Sequence, residues 1–316
     1  MDILKYKLKI EGLDSPSGTI STRALSELLK QFTATAERGL RLVIEGQSTK
    51  TGPSPKWLEK ATDFTFTGIL TGSTVLEMEA PTLQNAIPDQ IIQQDLWGIT
   101  PEPNDTAISF ISRSIRDMSA ENLESDYYDA GVLSSLLELK PFLSARARAI
   151  KIHCDDRAGD DFDIDFPIIE NVEKLRMRIP EPRAFMLAGY LEQVAYSRKR
   201  FQMHLPDGQV IQGCINDEFM SIEHLRQLWG KKVSAKGIVN FRPSGKIRLL
   251  EAQMLKPMEE GEEIFETAPV VQTQFEFAKQ LQTEASRRGW LKDIWGKWPG
   301  DESIEDIMKE IESRSK

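Results

Sequence analysis

The chain is 316 residues long, 40% hydrophobic and 28% charged, with a formal net charge of −9. That is room for about two domains and an ordinary globular balance, so a core can form without disulfide or metal staples. The negative balance speaks against a general nucleic-acid coat and favours solubility.

The first predicted element is a strand over 4–10, where Leu4, Tyr6, Leu8 and Ile10 alternate with Lys5, Lys7 and Lys9. Asp14 to Gly18 breaks it. Ser21 then opens a helical pattern through Ala24, Leu25, Leu28, Leu29 and Phe32. Gly39 is expected to end that helix, and the apolar run 40–44 to resume as a strand. Residues 63–70 and 74–79 read as a strand pair joined by a Gly-bearing turn at 70–73. Residues 1–80 therefore suggest a small β-α-β-β-β unit.

Residues 81–143 form a helical segment. Spacing predicts helices over 106–118 and 127–139, and a less regular one over 83–94 that Pro88 interrupts. Residues 144–183 are read as a strand pair and a helix joining the domains. Ala145 to Ile152 alternates with Arg146 and Arg148, but the apolar phase shifts at Ala149-Ile150, which leaves the face of that strand open. Phe162, Ile164 and Phe166 alternate cleanly with Asp161, Asp163 and Asp165.

Residues 184–257 carry the clearest architectural pattern. Strands are predicted at 185–196, 201–205 and 210–215. A short helix with Ile222, Leu225, Leu228 and Trp229 as its apolar positions follows, and Gly230 stops it. Strands at 233–241 and 246–255 close the series, with turns at 206–208 and 242–245. Three strands, a helix and two strands is the order of an OB-like five-stranded β-barrel. An SH3-like or split barrel has the same ingredients, because element order does not fix strand pairing. The expected fold class is α+β: an N-terminal α/β unit with a helical insert, the OB-like barrel, and a C-terminal helical tail. Residues 184–257 have a net charge of +5 and residues 258–316 one of −6. Single-strand nucleic-acid binding needs cations along a groove and exposed aromatics. The barrel candidates are Arg198, Lys199, Arg200, Lys231, Lys232, Lys236, Arg242, Lys246 and Arg248. The bland alternative makes them charges of a wet face, with Phe201 and Phe241 in the core.

Residues 258–274, rich in Glu, read as an acidic linker. Residues 275–316 read as a helical partner-binding tail. Trp290, Trp295 and Trp298 fall close together, and Ile304, Ile307, Met308 and Ile311 make one apolar stripe after the Pro299-Gly300 break. A short one-sided helix is marginal alone and needs a groove. The run Trp298-Pro-Gly-Asp-Glu-Ser-Ile-Glu-Asp-Ile resembles the C-terminal tails of antitoxins from bacterial toxin–antitoxin modules, many of which partner PIN-domain ribonuclease toxins. More loosely, the chain is similar to bacterial, often cyanobacterial, proteins that pair a Gly-Ser-Thr turn, here 72–74, with a barrel holding an Arg-Pro-Ser-Gly turn, here 242–245. The resemblance implies an antitoxin-like regulator that neutralises a toxin through its tail, with Trp298 as anchor and Arg288, Lys292 and Lys297 facing the toxin's carboxylates. Such antitoxins are usually short and carry a small DNA-binding domain, which is not evident here.

Catalytic patterns are not evident: HExxH, CxxC, phosphate-loop, GxGxxG and Gly-x-Ser-x-Gly motifs do not occur. The densest polar cluster, His153, Cys154, Asp155, Asp156, Asp160, Asp161, Asp163 and Asp165, matches no calcium loop and reads mainly as the wet face of a strand. The expectation is a non-enzyme with no cofactor and no metal. Two isolated thiols, Cys154 and Cys214, fit a reducing compartment. The opening Met1-Asp2-Ile3-Leu4-Lys5 lacks a signal-peptide layout, and no run approaches the ~20 apolar residues of a membrane span. A cytoplasmic protein without a membrane partner is therefore expected.

Overall fold

The structure is a computed structural model that describes residues 3–13, 19–50, 52–70, 74–92, 100–195, 199–215 and 220–269, with Val271, Thr273 and Thr283. The chain divides into two compact units, Met1–Val271 and Gln272–Lys316. The first is a mixed α+β body joined to a closed five-stranded β-barrel. Of the second only Thr273 and Thr283 are described. Among the described residues no helix is long and apolar enough to cross a membrane.

The body runs β1 (Ile3–Glu11), α1 (Thr22–Glu45), α2 (Lys56–Ala61), β2 (Thr65–Ile69), β3 (Val75–Pro81), α3 (Leu83–Ala86), α4 (Pro88–Ile92), α5 (Ala107–Ser119), α6 (Ala130–Leu137), α7 (Lys140–Arg146), β4 (Ala149–Cys154), β5 (Phe162–Asp165) and α8 (Phe166–Arg178). Its strands form an antiparallel sheet in the order β2-β3-β1-β4-β5. Period-two alternation gives this sheet two unlike faces. Tyr6, Leu8, Leu76, Met78, Ile150, Ile152 and Ile164 are buried in one core with α1, α5, α6 and α8. The other face carries Lys5, Lys7 and Lys9. Lys7 pairs across from Glu77, and Lys5 from Glu79. Lys9 stands opposite Lys151 of β4, and Glu11 reaches both, at 2.8 and 3.2 Å, which offsets that like-charge pair.

The expected strand at 40–44 does not exist. These residues are the last turns of α1, and the body begins β-α-α-β-β rather than β-α-β-β-β. Gly39 is not a helix stop. A Cβ there would lie 3.4 Å from Phe110 Cβ, so the glycine marks where α1 runs against α5. The stop is Gly46, at φ +79°, whose N–H bonds the Leu42 carbonyl. Leu40, Arg41, Leu42, Val43 and Ile44 are all buried, and a helix end covered on every side shows the same apolar run as a buried strand. The start of β4 is also corrected. Arg146 ends α7, and the strand begins at Ala149, where the alternation changed phase.

The barrel comprises β6 (Arg183–Ala195), β7 (Arg200–His204), β8 (Val210–Ile215), the helix α9 (Ile222–Gln227), β9 (Lys232–Phe241) and β10 (Ile247–Pro257). Hydrogen-bonded neighbours run β10-β8-β7-β6-β9, and β9 pairs with β10 to close the ring. All pairs are antiparallel except β8 with β10. Leu187, Leu191, Phe201, Met203, Ile211, Val233, Ala235, Val239 and Leu250 fill the interior, and Leu225 and Leu228 plug it from α9. Phe201 needs Gly213 opposite it, because a Cβ at that position would sit in its ring. The acidic segment after β10 is not the free linker expected of its composition. Glu262–Phe265 forms a 3-10 turn laid on the barrel, where Glu262 accepts from Ser234 Oγ at 2.6 Å and Lys256 Nζ at 2.9 Å.

Candidate partner-binding surface

The barrel's cations are largely committed within the chain. Arg242 opens the turn after β9, which Gly245 closes at φ +81°. Its guanidinium reaches the 122–129 segment of the body, donating to the carbonyls of Glu124 (2.7 Å) and Ser125 (2.6 Å) and to Asp126 Oδ1 (2.5 Å). Lys246 pairs with Glu124 at 3.2 Å. Arg200, the first residue of β7, is buried with its guanidinium against Gly46 at the end of α1. Lys232 pairs with Glu266 and lies 5.9 Å from the Tyr190 ring centroid, and the carboxylate holds its ammonium above the usual lysine range. Lys199 takes a left-handed turn at φ +54°. Lys236 is exposed on β9. Arg198 lies outside the described residues.

Another of the candidate barrel arginines is the centre of this contact. Arg248 of β10 is buried, with its Nη1 3.7 Å from Asp129 Oδ2. Burial pulls its guanidinium below the usual arginine range, and Asp129 opposes that pull. Asp129 also caps α6 through Val132 N (2.9 Å) and accepts from Ser48 N (3.0 Å) and Ser48 Oγ (2.6 Å). A single carboxylate thus joins the loop after α1, the start of α6 and the barrel. Cys214, beside Arg200 in the β7–β8 ladder, has its thiol pushed up to about 12 by burial.

The other end of the same strands is built differently. Lys232, Tyr190, His204 and Val210 are successive partners across β9, β6, β7 and β8. Tyr190 is 54% exposed and Val210 47%. Trp229, in the turn after α9, is 64% exposed, and its Nε1 donates to the Glu192 carbonyl at 2.8 Å. The Glu192 carboxylate meets His204 Nδ1 at 2.9 Å. Gly230 and Lys231 exchange hydrogen bonds with Leu191, which ties the Trp229 turn to the same strand. Two large aromatics therefore stand in water on a rigid frame. The sequence reading placed Trp229 on the inner stripe of α9. Leu225 and Leu228 already complete that stripe, and Trp229 lies beyond the helix, on the surface. Tyr190 gave no signal beyond an aromatic in a strand.

The acidic cluster of 153–165 does not converge. Asp155 holds Lys7 (2.6 Å), Asp161 holds His153 (2.8 Å) and Cys154 N (2.8 Å), and Asp165 caps α8 at Ile168 N (3.0 Å). Asp160 turns inward and accepts from Tyr6 OH (3.0 Å) and Ser109 Oγ (2.7 Å), while Thr106 shares the tyrosine at 2.8 Å. Burial, then the Asp160 charge, raises the Tyr6 phenol far above its usual range. Beside it, buried Asp105 takes a two-pronged contact from Arg113 (2.9 and 2.6 Å) and a third from Arg157 (2.8 Å). These are satisfied polar clusters of the core. Among the described residues no three His, Cys, Asp or Glu are grouped to hold a metal ion.

Trp290, Trp295, Trp298, Ile304, Ile307, Met308 and Ile311 lie outside the described residues. No family model, curated protein or solved structure matches the chain.

Proposed function

We propose that this protein is a cytoplasmic regulatory binding protein rather than an enzyme, and that its barrel is OB-like. The parallel β8–β10 pair, the neighbour order and the helix between the third and fourth strands support the OB-like assignment. In such barrels oligonucleotides lie over the second and third strands and the loop between the fourth and fifth. Here those positions correspond to β7, β8 and residues 242–246. Arg200, Cys214 and Arg242 turn one end of that surface towards the chain's own α/β body, while His204 and Val210 leave its other end in solvent.

The observation that carries the reading is the exposed pair Tyr190 and Trp229. Large rigid aromatics with one polar handle are the residues most often found at binding hot spots. Lys232 beside them is already paired with Glu266, and the exposed Arg226 and Lys231 flank Trp229 as a polar rim. We therefore assign the surface to a protein partner. The resemblance of the Trp298 run to antitoxin tails supports an antitoxin-like role, with a PIN-type ribonuclease as the proposed partner and residues 275–316 as a second point of attachment.

The test is affinity capture from the cell of origin with three proteins: the full chain, a chain lacking 290–316, and Tyr190→Ser/Trp229→Ser. One small ribonuclease should accompany the full chain and be lost on deletion. The double variant should bind it at least tenfold more weakly, roughly the 1.4 kcal/mol or more expected of a hot-spot pair. A complex that survives both changes, or salt-sensitive binding of single-stranded oligonucleotides in its place, would refute the assignment.

A further inference from the structure

We propose that β2 is an interface strand that pairs antiparallel with β2 of a second copy of this chain. β2 is one of the two outer strands of the sheet, hydrogen-bonded on one side to β3. The other outer strand is β5. It is four residues long, carries Asp163 and Asp165, and runs directly into α8 through Phe166-Pro167. Charge, brevity and a helix at its end are the usual means of keeping an edge from pairing. β2 has neither charge nor proline. From Phe64 to Leu76 the chain contains no Asp, Glu, Lys, Arg or Pro.

The same strand exposes apolar surface. Phe66 is 42% exposed, Ile69 41% and Leu70 38%. Phe66 stands opposite Met78 and Ile69 opposite Leu76, and both partners are buried. Phe66 and Ile69 thus continue the helix-covered face of the sheet past its last fully covered strand. A second copy fits this edge better than an unrelated strand does. Antiparallel pairing of identical strands places the two-fold axis perpendicular to the sheet, so each strand keeps its face. Phe66 and Ile69 of both copies then share one continuous apolar face. An uncharged segment meets itself without like-charge repulsion. The register shift between Phe66 and Gly68 marks a bulge in β2, which itself opposes edge pairing, so the association is weak and concentration-dependent.

The experiment is sedimentation of the full chain from roughly 5 to 200 µM, a range that spans weak self-association by mass action. The expected result is a monomer–dimer equilibrium. Thr67→Lys and Ile69→Lys should each weaken it at least tenfold, while Asp163→Ser on the opposite edge leaves it unchanged. Circular dichroism checks that both lysine variants fold. Amide exchange gives an independent readout, because Thr65–Ile69 should become more protected as wild-type concentration rises. A monomer throughout the range overturns the proposal. So does a dimer that both lysine variants leave intact, or one whose formation leaves the β2 amides unchanged.

Discussion

The two ends of the barrel are made of the same strands but of different chemistry. The end facing the α/β body is held by Arg200, Arg242 and Arg248, each set against a helix end, backbone carbonyls or a carboxylate. The end facing solvent presents Tyr190, Trp229 and Val210, with Lys232 paired to Glu266 and His204 in contact with Glu192 beside them. A planar guanidinium can satisfy several fixed acceptors at once, which suits a permanent internal joint. An exposed aromatic has large area to bury and little to lose while waiting. A barrel rich in basic residues therefore need not have an anionic ligand. In this one the arginines are structural and the free surface is aromatic.

The largest test of that division is Asp129→Ala. It leaves Arg248 buried without its carboxylate, uncaps α6 and frees Ser48. Removing one partner of a buried pair costs about 3–5 kcal/mol, and a lost cap contributes within that range. Urea unfolding of the variant should show a loss of this size, whereas Tyr190→Ser/Trp229→Ser should shift stability by under about 1 kcal/mol. If the two variants destabilise equally, the two ends do not differ as argued.

Much of this arrangement is legible in the residues, and the illegible parts have physical causes. The barrel strands, the Gly208 and Gly245 turns and helices α5 and α6 follow from period, turn chemistry and caps, all local properties. The end of α1 was misread because full burial erases the polar side that distinguishes a helix from a strand. The pairing of Asp129 with Arg248 is invisible in the sequence because they are 119 positions apart, and only the fold joins them. Arg200 and Arg242 read in the sequence as candidate nucleic-acid contacts on a barrel. Their sequence carries no mark that the surface would be covered by the same chain.

Gly46→Ala probes the same joint more gently. Gly46 sits at φ +79°, and an added Cβ would meet the Arg200 guanidinium. Strain in the left-handed region costs about 1–2 kcal/mol for a residue with a side chain. A flexible arginine end can move aside, so the joint should loosen rather than break. Thermal unfolding should fall by a few degrees. Gly208→Ala, at φ +86° with open space around it, is the control, because it carries the backbone strain without the contact. A loss no greater than the control's would mean that Arg200 does not rest on Gly46 in solution.

The smallest effect concerns the strap beside the solvent-facing aromatics. Glu262 accepts from Glu259 N at 2.9 Å, from Ser234 Oγ at 2.6 Å and from Lys256 at 2.9 Å, and these contacts lower its carboxyl from near 4.5 to about 2. A carboxyl whose folded value lies below its unfolded one stabilises the native state fully above the unfolded value. That contribution fades as pH falls from about 4.5 through about 2. The clean measurement is the stability difference between wild type and Glu262→Gln, since other carboxyls cancel. It should be constant above pH 5 and should close as pH approaches 2. A difference that does not change with pH would mean the strap is held by neutral hydrogen bonds and packing. The charge pairing that distinguishes it from the uncharged edge at β2 would then be incidental to its order.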